Sequence, residues 1–183
     1  MANGAAYLDG SVMTFSALVR SEDCQVLVSG DPVAFDRCNP LLDAIAGDVR
    51  FLGSDPTGSA VVNSSGLGFV YTASHAFLSA AAMCDAAGAP LDLLADVVAK
   101  FTSQMPPMFE EFVEMIRASR YDGTNLRLAS GAENLQFISD FGRQVGVETD
   151  AFEVAGRTFT SASEAGHGVN VAAAFETLRH RSD

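Results

Sequence analysis

Two hydrophobic patterns divide the chain near residue 54. Before that point, short runs rich in β-branched and aromatic residues alternate with polar turns, which is typical of β-strands. After it, apolar residues recur every three or four positions, which is typical of helices. We therefore predict a mainly α chain in a single domain over residues 1–183, in which a small β-β-α-β element (1–53) precedes a helical bundle with a long central helix (54–183).

The first part of the chain predicts three strands and one helix. The strands fall in "AAYLDGSVMTF", "CQVLVSG" and "DVRFLG", and the helix lies between the second and the third. Asp31 is the predicted N-cap, Pro32 suits the first helical turn, and Gly47 is the predicted C-cap. Pro40 predicts a break or kink. Three short strands form a poor free-standing sheet, so we expect another chain or another domain to cover their edges.

Six helices are predicted from Gly58 onward. The first is the long one, and it ends where Gly88 and Pro90 stop it. The second and third are predicted in "LDLLADVVAKF" and after Pro106–Pro107. The last three fall in "GAENLQFISDFGRQVG", "DAFEVAGRTFTSASEAG" and "NVAAAFETLRH".

Composition and charge limit which partners the chain could bind and where in the cell it would be found. The net charge is −12 and Lys100 is the only lysine, which argues against nucleic acid or an anionic membrane as a partner. Three scattered cysteines, with no secretion signal and no apolar run of transmembrane length, predict a cytoplasmic protein. His75, His167 and His180 lie far apart in sequence, so no metal site is predicted.

Four stretches of the sequence occur in a recognisable order: "YLDGSVM", "LVSGDPVAFDRCNPLLDAI", "FLGSDPTGSA" and "EAGHG". Together they resemble the C-terminal part of imine reductases and reductive aminases, within the wider β-hydroxyacid dehydrogenase superfamily. The resemblance covers essentially the whole chain. It implies that residues 1–53 close the sheet of an N-terminal Rossmann domain, and that the helix from Gly58 to Gly88 links that domain to the bundle. It also implies a domain-swapped homodimer.

The same resemblance raises the question of the cofactor, because the Rossmann domain of that family binds NADPH. Such a site needs a glycine-rich turn between a strand and the N-terminus of a helix. The only candidate, "SGLGFVY" at residues 65–71, lacks a third glycine and lies inside the predicted long helix. We interpret Gly66 and Gly68 as close-packing glycines. The sequence therefore predicts that this chain binds no cofactor on its own and stands without its Rossmann domain.

The resemblance places a catalytic group at Ser64. In the dehydrogenase branch the long helix resembles G-x-G-x-x-x-K, whose lysine is the general acid, and imine reductases usually carry Asp or Tyr there. Counting from Gly58, this position is Ser64. A serine hydroxyl has no useful acidity near pH 7, so Ser64 could only donate a hydrogen bond or hold a water. The alternative is that Asn63, Ser64 and Ser65 are helix-start residues that face water or bond back to the helix.

Other residues complete the predicted site. Asn63 joins Ser64 in the catalytic set, and Tyr71 and His75 follow on the same helical face as a candidate donor and a candidate base. The alternative for these two is a core tyrosine and a histidine with structural partners. Methionine and phenylalanine suit an adaptable apolar pocket, although they are also common in cores. The predicted substrate-binding residues are Asp9, which could instead cap a turn with Gly10, and Met13, Leu67, Met105, Met108, Phe109 and Phe112.

Several functions fit these observations. The leading hypothesis is a cofactor-independent cyclase or isomerase of specialised-metabolite biosynthesis that positions a small hydrophobic substrate and supplies hydrogen bonds. The main alternative is the cleft half of a split NADPH-dependent imine reductase, with a separate Rossmann-domain protein as its partner. The remaining alternatives are a non-catalytic ligand-binding or assembly protein and a truncated or degenerate gene product. All of them expect a homodimer.

Overall fold

The computed structural model describes residues 5–179, so residues 1–4 and 180–183, with His180, lie outside it. Within this range the chain forms three strands and seven α-helices, which confirms the predicted mainly α fold with its β-β-α-β start. By its internal contacts the chain divides into a first unit, ending at Tyr71, and a second unit, beginning at Thr72. The elements are β1 (Leu8–Met13), β2 (Gln25–Gly30), α1 (Pro32–Leu42), β3 (Asp48–Phe51), α2 (Gly58–Ala86), α3 (Leu91–Thr102), α4 (Met105–Ala118), α5 (Leu128–Gln144), α6 (Asp150–Glu164) and α7 (Ala174–Leu178).

The sheet of the first unit has the strand order β1-β2-β3. β1 pairs with β2 antiparallel, and β2 pairs with β3 parallel. The central strand is the most apolar and the most buried, since Val26 and Val28 are fully enclosed. α1 packs on this sheet, and its Phe35 stacks on Phe51 of β3 with 4.6 Å between the ring centroids. The core of the first unit therefore lies between α1 and the sheet.

The ends of α1 confirm one prediction and correct another. The Asp31 carboxylate accepts a hydrogen bond from the backbone N–H of Ala34 at 2.9 Å, so Asp31 is the N-cap as predicted. Gly47 is not the C-cap, because the helix ends at Leu42. A proline in the last turn leaves little helix to follow it, and the helix ends two residues after Pro40. Gly47 is required for another reason, since a Cβ there would lie 2.5 Å from the Cα of Glu22.

α2 is one continuous helix that has few partners among the described residues. Gly88 ends its C-terminal turn with φ +72°, as the sequence predicted. Only 6% of its most apolar 18-residue window is buried, and the helix is long and apolar enough, by length and composition, to cross a membrane. This corrects the expectation that no segment reaches that length. One such helix is weak evidence of a membrane span, because the core helix of a soluble protein meets the same criterion.

The helices of the second unit form where they were predicted, with shifted boundaries. α4 begins at Met105 and not after Pro106–Pro107, because prolines in the first helical turn cost no hydrogen bond. α5 begins at Leu128, three residues before the predicted start. The last predicted helix is divided into a 3₁₀ turn, Val171–Ala173, and the short α7.

Buried apolar and polar groups together hold the core of the second unit. Leu128 is 1% exposed and packs in a cluster with Met115 and Tyr121. The Tyr121 hydroxyl donates a hydrogen bond to the Glu176 carboxylate at 2.7 Å. Burial, and then this carboxylate, raise the pKa of Tyr121 to about 12. Tyr121 therefore stays neutral and ties the segment after α4 to α7.

Candidate functional site

A buried polar cluster fixes the start of α2 to the sheet of the first unit. Ser59 donates a hydrogen bond to the Asp9 carboxylate, and the Ser29 hydroxyl donates to the Ser59 oxygen at 3.0 Å. The Tyr7 hydroxyl lies 3.4 Å from the other oxygen of Asp9. Ser29 and Ser59 are both fully buried. The Asp9 carboxylate thus has partners inside the protein, and its role in substrate binding stays a prediction.

The predicted catalytic residues lie on α2. Ser64, Tyr71 and His75 recur at spacings of seven and four residues on a continuous helix, which places them on one face. All three are exposed, and Asn63 is half-buried. Among residues 5–179, no hydrogen bond or ion pair involves these four side chains, so the described chain assembles no proton-transfer pair from them. Their catalytic roles stay predictions.

The remaining α2 predictions have different outcomes. Ser65 bonds back to the carbonyl of Val61 at 2.9 Å, as in the alternative of a helix-bonded residue. A Cβ at Gly66 would lie 3.1 Å from the terminal methyl group of Met13, so Gly66 does allow close packing. A Cβ at Gly68 would have no atom of residues 5–179 within 4 Å, so these residues show no close packing at this glycine. Leu67 is exposed, and its substrate-binding role, like that of Met13, is untested.

One glycine-containing stretch and two strand-to-helix turns were candidates for a dinucleotide site, and none of the three fits one. The stretch "SGLGFVY" is helical throughout, so its backbone N–H groups are used within α2. At the β2–α1 turn, the Asp31 carboxylate occupies the helix N-terminus where a phosphate would bind. At the β3–α2 turn, Asp55 binds the N–H and hydroxyl groups of Thr57, which lowers the pKa of Asp55. Negative charge therefore occupies both turns, and these residues are not an NADPH site.

The second unit contains a cavity of about 660 Å³ that includes four predicted substrate-binding residues. They all come from α4, whose apolar side chains at helical spacing face the same space: Met105, Met108, Phe109 and Phe112. α5 forms the opposite wall with Leu135 and Ile138, and Phe159 of α6 adds a ring. The volume is in the range of small-molecule pockets. The contact of these four residues with a substrate remains a prediction.

A larger groove of about 830 Å³ runs between α5 and α6, and both of its arginines are paired with acidic side chains. Arg143 forms ion pairs with Asp140 and Glu153, and Arg157 lies 3.8 Å from the same Glu153 carboxylate. No group of three or more His, Cys, Asp or Glu side chains in the described part of the chain is arranged to hold a metal ion.

Two sets of polar residues were missed by the sequence reasoning. Ser29 and Ser59 gave no signal, because their pairing joins positions 30 residues apart. Arg127 and Asn134 line the α4–α5 cavity. Arg127 could have been noticed as a basic residue between two leucines in an acidic chain, but its neighbours in space could not.

Comparison with known protein families identifies the class of protein to which the chain belongs. Residues 55–180 match the family described as NADPH-dependent reductive aminase-like, C-terminal domain. The match covers more than half of the chain, so the chain belongs to this family.

Particular relatives agree with this assignment, and the chain spans between 54% and 62% of their length. It is 30% identical over 167 residues to an L-threonate dehydrogenase of Escherichia coli O6:H1, covering 90% of this chain and 54% of that protein. A reductive aminase from Aspergillus terreus in complex with NADPH and ethyl levulinate has the same fold, with a TM-score of 0.87, 19% identity and coverage of 97% and 62%. An imine reductase from Pseudomonas sp. gives a TM-score of 0.86, 20% identity and coverage of 95% and 61%.

Proposed function

We propose that this chain supplies the substrate-side helical part of an NADPH-dependent oxidoreductase of the imine reductase type. The family match carries this proposal, and the α4–α5 cavity supports it. The nucleotide-binding part would come from residues that lie outside this sequence or from a separate Rossmann-domain protein. The matched relatives are named as reductases, reductive aminases and dehydrogenases, and their names give no support to a cyclase or isomerase of specialised metabolism.

The roles of the residues follow from their chemistry. The apolar side chains of the α4–α5 cavity would hold the hydrocarbon part of a substrate and exclude water from it. Ser64 stands where the family resemblance places the acid, and its hydroxyl can only donate a hydrogen bond or hold a water near pH 7. We therefore expect slow proton transfer, unless the substrate carries its own acidic group or another residue supplies the proton.

We also propose that a second copy of the chain covers α2. Its exposed apolar side chains include Val61, Phe69 and Leu78, and a surface of this kind usually marks an interface. The family resemblance implies the same homodimer. Light scattering at micromolar concentration tests this, and a monomer at that concentration would contradict it.

A chimera tests the proposed activity. The nucleotide-binding part of the Aspergillus terreus reductive aminase is fused before residue 5, and NADPH oxidation is followed with cyclohexanone and allyl amine, the compounds bound in a structure of that enzyme. The unfused chain is expected to be inactive because its residues do not fit NADPH. The chimera is expected to be slow, and Ser64→Asp is expected to accelerate it by about 100-fold, the lower range for a positioned general acid.

The matched control is Ser65→Asp, which adds the same charge one residue away and on another side of α2. It is expected to leave the rate of the chimera unchanged. A chimera that binds NADPH but shows no oxidation, either with the native Ser64 or with the Ser64→Asp substitution, would contradict the proposal. Equal acceleration by both variants would contradict the assignment of the acid position.

A further inference from the structure

The α4–α5 cavity combines an apolar interior with a single positive charge. Its floor and walls include the methionine and phenylalanine side chains of α4 together with Leu135 and Phe159. Of the described residues that line it, Arg127 is the only ionisable one. A cavity of this composition offers burial to a hydrocarbon and charge compensation to an anion.

Arg127 is free to take a ligand. Among residues 5–179, its guanidinium forms no ion pair and no hydrogen bond, although the chain contains 23 acidic and only 11 basic residues. The backbone of Arg127 is fixed by a bridge to Asn170, and Asn170 is itself buried and bonded to the carbonyl of Gly123 at 3.1 Å. The backbone of Arg127 is therefore fixed beside the cavity, and its exposed guanidinium has no acidic partner among the described residues.

α5 adds neutral polar groups beside this charge. Ser130 and Asn134 lie one turn apart on the helix face that lines the cavity. Neither side chain has a hydrogen-bond partner among the described residues. Asn125, also on the lining, donates to the Glu111 carboxylate at 3.5 Å, and Glu111 itself does not line the cavity.

Gly131 gives the cavity its shape. A Cβ at this position would lie 3.1 Å from the ring of Phe159, so a side chain here would displace that ring. The glycine lets the ring of α6 approach the backbone of α5, which keeps this wall apolar directly beside the polar residues. The polar and apolar parts are thus adjacent, and one small molecule can contact both.

We propose that this cavity binds a small molecule with an apolar body and one carboxylate, and that Arg127 receives the carboxylate. A guanidinium pairs with a carboxylate through two parallel hydrogen bonds. One guanidinium balances a monoanion, whereas a phosphate dianion would leave negative charge uncompensated in a chain of net charge −12. That this ligand is the substrate of the oxidoreductase rests on the proposed function.

Two probes that differ only in charge test the proposal: 4-phenylbutanoate and 4-phenylbutanamide. Each is titrated into the ¹⁵N-labelled chain without NADPH, and the Kd is taken from amide shifts. The carboxylate is expected to bind about tenfold more tightly than the amide, since a hydrogen bond to a charged group contributes at least that factor. The largest shifts are expected at residues 124–135.

Substitutions of Arg127 test whether this residue causes the preference for the carboxylate probe. Arg127→Gln is expected to remove the preference, because it weakens the binding of the carboxylate probe and not that of the amide probe. Arg127→Lys is expected to retain part of the preference, because lysine keeps the positive charge but lacks the two parallel N–H donors of the guanidinium. The control is Arg117→Gln, which makes the same change of net charge at an exposed position outside the cavity and is expected to keep the preference.

Four results would overturn the proposal: equal affinity for both probes, an unchanged preference in Arg127→Gln, shifts elsewhere in the chain, or no binding of either probe. The last result is also what a second copy of the chain covering the cavity would produce. Because this experiment measures equilibrium binding and not turnover, its failure leaves the chimera test of the oxidoreductase untouched. A failed chimera likewise leaves the carboxylate site standing.

Discussion

α2 and α5 are both long helices with many apolar residues, yet they have different surroundings. α5 buries Leu128, Ser139 and Gly142 and packs along α6, whereas only 6% of the most apolar window of α2 is buried. The second unit thus has a core of its own, whereas most of the apolar window of α2 is uncovered among the described residues. Substitutions at matched positions in the two helices test this contrast.

The largest effect is expected from Leu128→Ala on α5. Leu128 is 1% exposed, and removing a buried leucine leaves a cavity that costs about 2 to 5 kcal/mol. Leu78→Ala is the matched change on α2, where the side chain is 64% exposed, and it is expected to alter the free energy of unfolding of the uncovered chain by less than about 0.5 kcal/mol. Urea unfolding followed by circular dichroism measures both.

The dependence on protein concentration gives a second test of the contrast between α2 and α5. If a second copy covers α2, Leu78→Ala is expected to weaken the dimer at high protein concentration and to have no effect at low concentration. A large effect of Leu78→Ala at all concentrations would show that α2 is buried within a single chain, which would contradict the contrast.

A second, smaller effect is expected within α2 itself. Ser59→Ala removes the hydroxyl group that joins Asp9 to Ser29, and leaving buried polar groups unpaired costs about 1 to 3 kcal/mol. Ser64→Ala, five residues along the same helix, removes an exposed hydroxyl with no partner among the described residues and is expected to cost almost nothing. Thermal unfolding of the two variants tests this, and equal losses would show that the Ser59 cluster does not anchor the helix.

The smallest effect concerns pH and the core of the second unit. Because the pKa of Tyr121 is raised from 10.0 to about 12, the folded state holds a proton that the unfolded state loses above pH 10. The stability that this tyrosine contributes is therefore complete below pH 10 and is lost as the pH rises to about 12. Tyr121→Phe is expected to cost about 1 to 2 kcal/mol at pH 7 through its lost hydrogen bond to Glu176.

The pH dependence is the sharper readout of this variant. Unfolding of the native chain is expected to become easier between pH 10 and pH 12, and Tyr121→Phe is expected to flatten that slope. A slope that is identical in both proteins would show that the tyrosine is not held neutral in the core.

Local chemistry made much of the fold predictable from the sequence. The β-β-α-β order follows from the periodicity of two and of three to four residues, and the Asp31 cap follows from a carboxylate placed three residues before a free N–H group. The long α2 was predictable because 29 residues pass without a proline. The family, too, could be identified from four short motifs in order. All of these depend on residues that are close together along the chain.

The partners of the polar side chains and the lining of the cavity could not be predicted from the sequence, because they depend on contacts between residues that are far apart along the chain. Asp9 and Ser59 are 50 residues apart, and nothing in "YLDGSVM" indicated that its carboxylate would be used to hold a helix. The four predicted Met and Phe residues of α4 share one cavity, but only the tertiary arrangement, with its bridge between Arg127 and Asn170, placed Arg127 there. The elements and the family therefore follow from residues that are close together in sequence, whereas long-range packing sets which polar side chains have partners among the described residues and which do not.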